Sequence, residues 1–217
     1  MKQKTLFIAS AVVLLAAFVV GVLVYNIQQA DRTAEVVKRN PQALTRFHSP
    51  TLGNADAKVH IVEFLDPACG TCAQFSPFVK DLMAANPGRI RLTVRYAPLH
   101  QGSDQVVKVL EAARKQGKFW QALEALFATQ RQWVQNHVAH AQLAWNALSG
   151  LGLDLDRVRD DMNAPEVTRT VEQDIADTRT LNVTQTPEFF VNGRAMPSFG
   201  AQQLKDLVDE EIAKAYR

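Results

Sequence analysis

The 217-residue chain is 47% hydrophobic and 21% charged, with a formal net charge of +2 and a sequence pI near 8.6. The excess sits at one end: residues 1–25 hold Lys2, Lys4 and no acid, which leaves 22 basic and 22 acidic residues in the rest. A neutral body with no basic patch interleaved with aromatics excludes nucleic acid as a partner, and its length suits one domain with a sizeable core.

The chain opens Met-Lys-Gln-Lys and then runs from Thr5 to Tyr25 without a charge. Such a run is long enough to cross a bilayer as a helix. It exceeds the apolar core of a cleaved signal peptide, about 7–15 residues, and residues 26–30 offer no small-x-small cleavage site. Residues 1–25 therefore read as an uncleaved transmembrane signal anchor; cleavage and release is the alternative. Residues 26–50 are polar, carry Pro41 and Pro50, and read as a tether that includes a short helix over 28–39. The body begins near Ser49.

Lys58 to Leu65 reads as a strand with Val59, Ile61 and Leu65 on one face and Val62 and Phe64 on the other, the pattern of a central strand. Glu63 shares the first face, so its carboxyl is expected to be buried and its pKa raised. Next come the only two cysteines, as Cys69-Gly70-Thr71-Cys72. A helix over 71–85 follows, which puts Cys69 at a helix N-terminus. Residues three apart at a helix start face the same side, within disulfide reach. The free N–H groups and positive end of the helix favour a thiolate at Cys69. Cys72, one turn further in, is the more buried and the natural resolving thiol. An inert structural bridge is disfavoured, because closing so short a ring stabilises little. Half of a zinc site is disfavoured too, since there is no other cysteine and no histidine pair beside this one. Two thiolates also suit the soft ion Cu(I), so a metallochaperone-type Cu(I)-binding module is the rival reading.

Residues 89–96 alternate as Ile90, Leu92, Val94 and Tyr96, a second strand. With the helix between, this is a β-α-β unit and implies parallel pairing. From about Ser103 to Leu181 apolar residues recur at helical spacing, Val138 and Leu143 among them, with breaks at Gly117 and Gly150-Leu-Gly152. The chain then returns to strand over 187–191, turns at Asn192-Gly193, adds a strand over 194–196, and closes with an amphipathic helix over 201–215.

Three of these features resemble the thioredoxin superfamily, and within it the DsbA-like branch. They are the strand–C-x-x-C–helix with Pro77 five residues after Cys72, the segment Thr186-Pro187-Glu-Phe-Phe-Val-Asn-Gly193, and the helical block between them, which includes Gln116-Gly-Lys-Phe-Trp120. The resemblance covers residues 51–217. It implies an α/β thioredoxin-like fold with a helical insertion, about 103–181, between the β-α-β half and a cis-Pro hairpin followed by a C-terminal helix. It also implies a protein thiol–disulfide oxidoreductase, with Cys69–Cys72 as redox-active disulfide and no other cofactor. By the same resemblance Cys69 and Cys72 are catalytic, Glu63 is the buried acid that takes and returns the Cys72 proton, and Thr186 and Pro187 form a cis-proline loop whose backbone pairs with the client. Gly70 and Thr71 tune the potential. Strong oxidants of this type resemble Cys-Pro-His-Cys, and Gly70-Thr71 brings no positive group, so a less oxidising couple is expected and the direction of electron flow stays open. The implied partners are thiol- or disulfide-bearing clients, a DsbB-like or DsbD-like membrane redox protein, and the inner membrane through residues 5–25, with the catalytic domain in the periplasm. Asp66 reads as a surface charge with no role.

Overall fold

The computed structural model describes residues 2–217, apart from the side chains of residues 2, 5, 6, 23, 26, 27 and 29–31. The chain begins with one 38-residue helix, α1 (Lys2–Arg39). Among the described residues no helix is long and apolar enough to cross a membrane; the expected span of residues 5–25 includes Thr5, Leu6 and Leu23, which lie outside the described side chains. Phe7, Leu14 and Phe18 on this helix are exposed.

The far half of the expected tether belongs to the body. Val37 at the end of α1, and Ala43 and Leu44 on α2 (Pro41–Leu44), are buried against the sheet. Arg46 then pairs with Asp177 through two hydrogen bonds of 2.8 and 2.7 Å. The segment reads as polar because only these few side chains turn inward.

A short edge strand, β1 (Thr51–Gly53), leads to β2 (Val59–Leu65), α3 (Gly70–Ala85) and β3 (Ile90–Tyr96). The insertion follows: α4 (Ser103–Lys115), α5 (Phe119–Ala128), α6 (Gln130–Trp133), a hairpin of β4 (Val134–Gln135) and β5 (Val138–Ala139), α7 (Ala141–Ala144), a 3-10 turn over Trp145–Leu148, α8 (Leu155–Asp161) and α9 (Pro165–Thr180). β6 (Glu188–Val191), β7 (Arg194–Ala195) and α10 (Ala201–Ala215) complete the chain. The expected α/β fold is the observed one.

The five strands lie in the order β1-β3-β2-β6-β7. β2 is central, as its two apolar faces require: it runs parallel to β3, with Val59 opposite Ile90 and Leu65 opposite Tyr96, and antiparallel to β6, with Glu63 opposite Phe189. Val59 and Ile61 meet Val79 and Leu82 of α3 and Leu204 and Val208 of α10. Val62 and Phe64, on the other face, meet Leu44, Leu181 and Phe190. Each such fully buried aliphatic side chain contributes about 1.5–3 kcal/mol of transfer free energy. The β6–β7 turn has Asn192 at φ 49° and Gly193 at φ 80°, the left-handed pair that a two-residue hairpin demands.

The β4–β5 hairpin corrects the expectation of helix between the breaks at Gly117 and Gly150. Val138 lies on a strand, and Asn136 and His137 take φ values of 50° and 63°. Apolar spacing over so few residues does not separate strand from helix. The hairpin rests on the loop before α4, where Ala139 N donates to Gln101 O at 2.8 Å. Gly102 is required at that contact: its φ is 79°, and a Cβ there would stand 2.5 Å from Ala139 O.

A buried ionic cluster ties the layers together. Arg95 on β3 is fully buried and donates to Asp174 at 2.7 Å and Asp177 at 2.6 Å, both on α9, and to the Ala43 carbonyl at 2.5 Å. His48 adds a 2.7 Å contact to Asp174. Charges removed from water in this way need every partner in place.

Candidate active site

The end of β2 delivers the chain to the cysteine pair. Asp66, expected at the surface, is fully buried. Its Oδ1 accepts from Ala68 N at 2.8 Å, an Asx turn that starts the loop. Its Oδ2 accepts from Leu99 N, His100 N and His100 Nδ1, each at 2.8 Å, and from Ser103 Oγ at 3.1 Å. One carboxylate therefore fixes the cysteine loop and the start of α4 together. The Asp-Pro dipeptide after a strand was the available signal.

Cys69 is the N-cap of α3, with φ −78° and ψ 118°. At this position a serine or aspartate oxygen ordinarily accepts from the free N–H groups of the first turn; here the residue carries sulfur. Cys69 is 7% exposed and Cys72 0%, and both are free thiols. The Cys69 pKa is lowered to about 5. The hydrogen bond from the Cys72 thiol is the largest cause, opposed by burial and assisted by Thr186 and by the backbone N–H groups of Cys72 and Thr71. Burial, then the bond to Cys69, pushes Cys72 well above the usual thiol range. The pair is thus split into a thiolate and a protonated thiol, the arrangement a nucleophile and a resolving group need. Gly70 is exposed and Thr71 half-buried beside them.

The Thr186–Pro187 peptide bond is cis, and the Thr186 carbonyl lies 3.2 Å from Cys69 Sγ, so the protonated thiol donates to it. The Thr186 side chain acts in the other direction and favours the thiolate. The structure therefore brings the Cys69–Cys72 pair together with Thr186 and Pro187, although Cys69 and Thr186 are 117 positions apart in the chain. Glu63 is 3% exposed, and its Oε1 has no hydrogen-bond partner. Its pKa is raised to about 8, first by burial and then by the charge on Cys69.

A cavity of ≈ 220 Å³ borders the proline loop, lined by Thr184, Gln185, Glu188, Met196, Phe199 and Thr33 of α1. Beside it Phe75 of α3 stacks against Phe199 at 5.0 Å and Phe189 at 5.6 Å between ring centroids. Sequence reasoning missed Gln130, whose Nε2 donates to the carbonyls of Pro67 at 2.8 Å and Cys69 at 3.1 Å. No local pattern announces a side chain that reaches across 61 residues. Among the described residues no group of three or more His, Cys, Asp and Glu is placed to hold a metal ion.

A thioredoxin family model matches residues 45–210. The chain belongs to the thioredoxin family. Its solved relatives include a thioredoxin-like oxidoreductase from Silicibacter pomeroyi DSS-3, 33% identical with a TM-score of 0.69, covering 80% of this chain and 98% of that one. Disulfide bond formation protein D from Bacillus subtilis (strain 168) is 25% identical over 172 residues, 75% of this chain and 77% of that protein. The Na(+)/H(+) antiporter NhaA from Herminiimonas arsenicoxydans is 30% identical over 184 residues, and there the chain spans 28% of the longer protein. The fold is that of the DsbA-like thiol–disulfide oxidoreductases, such as the thiol-disulfide exchange protein alpha-DsbA2 from Wolbachia pipientis.

Proposed function

We propose that the protein is a membrane-tethered thiol–disulfide oxidoreductase that exchanges disulfides with client proteins through Cys69 and Cys72. The observation that carries this reading is geometric: two free thiols at the start of α3, with Cys69 in the N-cap slot and its Sγ 3.2 Å from the Thr186 carbonyl at the cis Thr186–Pro187 bond. In the reducing direction the Cys69 thiolate attacks a client disulfide, forming a mixed disulfide and releasing one client thiolate. The mixed disulfide removes the Cys69 charge that helps keep Glu63 protonated; the ionised form of Glu63 then takes the Cys72 proton, and Cys72 attacks Cys69 sulfur. The second client thiolate leaves, the client gains two electrons, and Cys69–Cys72 becomes the disulfide. The oxidising direction is the reverse of each step. Thr186 offers its backbone to an extended client segment, in the manner of strand addition, and the cavity beside Phe199 receives the client's side chains. The couple itself is the only redox group this chemistry needs.

The name of the Bacillus subtilis relative supports this reading. Insulin reduction by dithiothreitol tests it: the protein should accelerate precipitation, and Cys69→Ser should not. Stoichiometric Cu(I) retention without such activity would favour a metal carrier instead.

Residues 1–25 serve as the anchor, with the body in the periplasm and a DsbB-like or DsbD-like protein renewing the couple. The charge-free run from Thr5 to Tyr25 and the exposed Phe7, Leu14 and Phe18 support this. Recovery of the full chain in the alkaline-washed membrane pellet is the expected result; recovery in the supernatant would remove the anchor.

A further inference from the structure

The loop before Cys69 is held on both its N–H and its carbonyl side. Ala68 N donates to Asp66 Oδ1 at 2.8 Å, and Cys69 N donates to Asp66 O at 3.0 Å. The carbonyls of Pro67 and Cys69 both accept from Gln130 Nε2, at 2.8 and 3.1 Å. Asp66 thus fixes the N–H side of the loop; on the carbonyl side Ala73 N adds a 3.2 Å bond to Cys69 O, and one amide from the helical insertion spans Pro67 and Cys69. Nothing in the exchange chemistry described above uses that amide.

Gln130 sits on a stiff corner. Thr129 Oγ1 donates to Ala125 O at 2.8 Å, Gln132 N donates to Thr129 O at 2.8 Å, and the fully buried Trp133 donates its Nε1–H to Leu126 O at 3.0 Å. A side chain carried on a corner locked by packing is a precise positioning device. It also stands close to the variable part of the motif, since a Cβ at Gly70 would lie 3.7 Å from Gln130 Oε1.

The consequence concerns where the sulfur lies. The Cys69 backbone dihedrals set both the plane of the Cys69–Gly70 peptide and the direction of the Cα–Cβ bond, and a staggered χ1 then places the sulfur. Holding the Cys69 carbonyl keeps Cβ aimed at the first turn of α3, from which the sulfur reaches the N–H groups of Thr71 and Cys72, where an N-cap side chain belongs. We infer that Gln130 is a positioning residue for the redox pair, the contact by which the helical insertion holds Cys69 in the N-cap slot of α3. This rests on the reading of the pair as an exchange centre. The titratable groups that act on Cys69 are Cys72 on its own helix and Glu63 on β2, and a change at Gln130 leaves both in place.

The test measures the thiol pKa of Cys69, by thiolate absorbance against pH, and the equilibrium of the couple with glutathione. The wild type, Gln130→Ala, Gln130→Met and Gln132→Ala are compared, each with a thermal melt. Gln130→Met keeps the length, adds no charge and loses both donated hydrogen bonds. Loss of the clamp should raise the Cys69 pKa by about one unit, a tenfold smaller thiolate fraction at acid pH. Weaker thiolate stabilisation disfavours the dithiol, so the equilibrium should move about tenfold toward the disulfide, a potential lower by about 30 mV. Gln132→Ala, on the same corner, should match the wild type. Wild-type values in both Gln130 variants would overturn the inference, as would a lowered melting temperature with an unmoved thiol pKa. A wild-type pair with an ordinary pKa, or one that never equilibrates with glutathione, fails the parent reading instead and takes this inference with it.

Discussion

Glu63 is held protonated to about pH 8 by its burial and by the negative charge on Cys69. Its Oε1 accepts no hydrogen bond to offset that burial. An unpartnered acid inside a protein is costly unless it stays neutral; with a pKa of about 8 its ionised form is within reach at neutral pH, and that form acts as base toward the high-pKa Cys72 thiol.

Glu63→Gln should therefore change both stability and rate. The folded pKa, about 8, lies above the unfolded value of about 4.3. The protonated carboxyl's contribution is fully present below pH 4.3 and is lost as pH rises toward 8. The glutamine variant should be more stable than the wild type at pH 7–8, by roughly 4 kcal/mol, and equal to it near pH 4. Urea melts across this range read the difference. The resolving step should slow about tenfold or more, as expected when a general base is lost; an unchanged rate across pH would remove Glu63 from the mechanism.

Much of this centre was legible in the sequence. Cys69 and Cys72 were marked by being the only cysteines, and the burial of Glu63 followed from its place on the face of Val59, Ile61 and Leu65. Asp66 and Gln130 were not legible, because their roles come from partners on other elements: Leu99, His100 and Ser103 for one, the Pro67 and Cys69 carbonyls for the other. The same limit hid the Arg95–Asp174–Asp177 cluster and the docking of Val37 and Leu44. Single residues separated by long stretches carry no periodicity, whereas strands and amphipathic helices do.

Alkylation should separate the two thiols. With a pKa of about 5 for Cys69, iodoacetamide modification of the reduced protein should rise tenfold per pH unit below pH 5 and level off above about pH 6. Cys72 should stay unmodified in the folded protein. Mass spectrometry of the labelled peptides would show it, and equal labelling of both cysteines at pH 6 would refute the division of roles. Cys72→Ser should accumulate mixed disulfides with clients.

The same lowered pKa sets a linkage for the reduced protein. The Cys69 value stands below the unfolded value of about 8.5. Its stabilising contribution is complete above pH 8.5 and disappears as pH falls through 5. The reduced protein should lose stability relative to the oxidised one as pH falls between those limits, as paired thermal melts would record.

Thr71→His would place a cation beside the thiolate at the first turn of α3. Greater stabilisation of the dithiol should raise the potential by about 30 mV or more, a tenfold or larger shift in the exchange constant. Glutathione equilibration measures it, and an unmoved constant would show that position 71 does not tune the couple.

Asp174→Ala should damage the fold and leave the thiol pair intact. The change strips Arg95, fully buried, of its 2.7 Å partner and frees His48. Breaking a buried ion pair from one side costs about 3–5 kcal/mol. Denaturant midpoints should fall accordingly, while the Cys69 pKa at low temperature should stay near 5.

The reduction potential of the Cys69–Cys72 couple, in the full chain equilibrated against glutathione buffers, tests the central claim most directly. A reversible two-electron couple, more reducing than about −120 mV and no more reducing than about −270 mV, is the predicted result. Cysteines that never reach equilibrium with glutathione would contradict it.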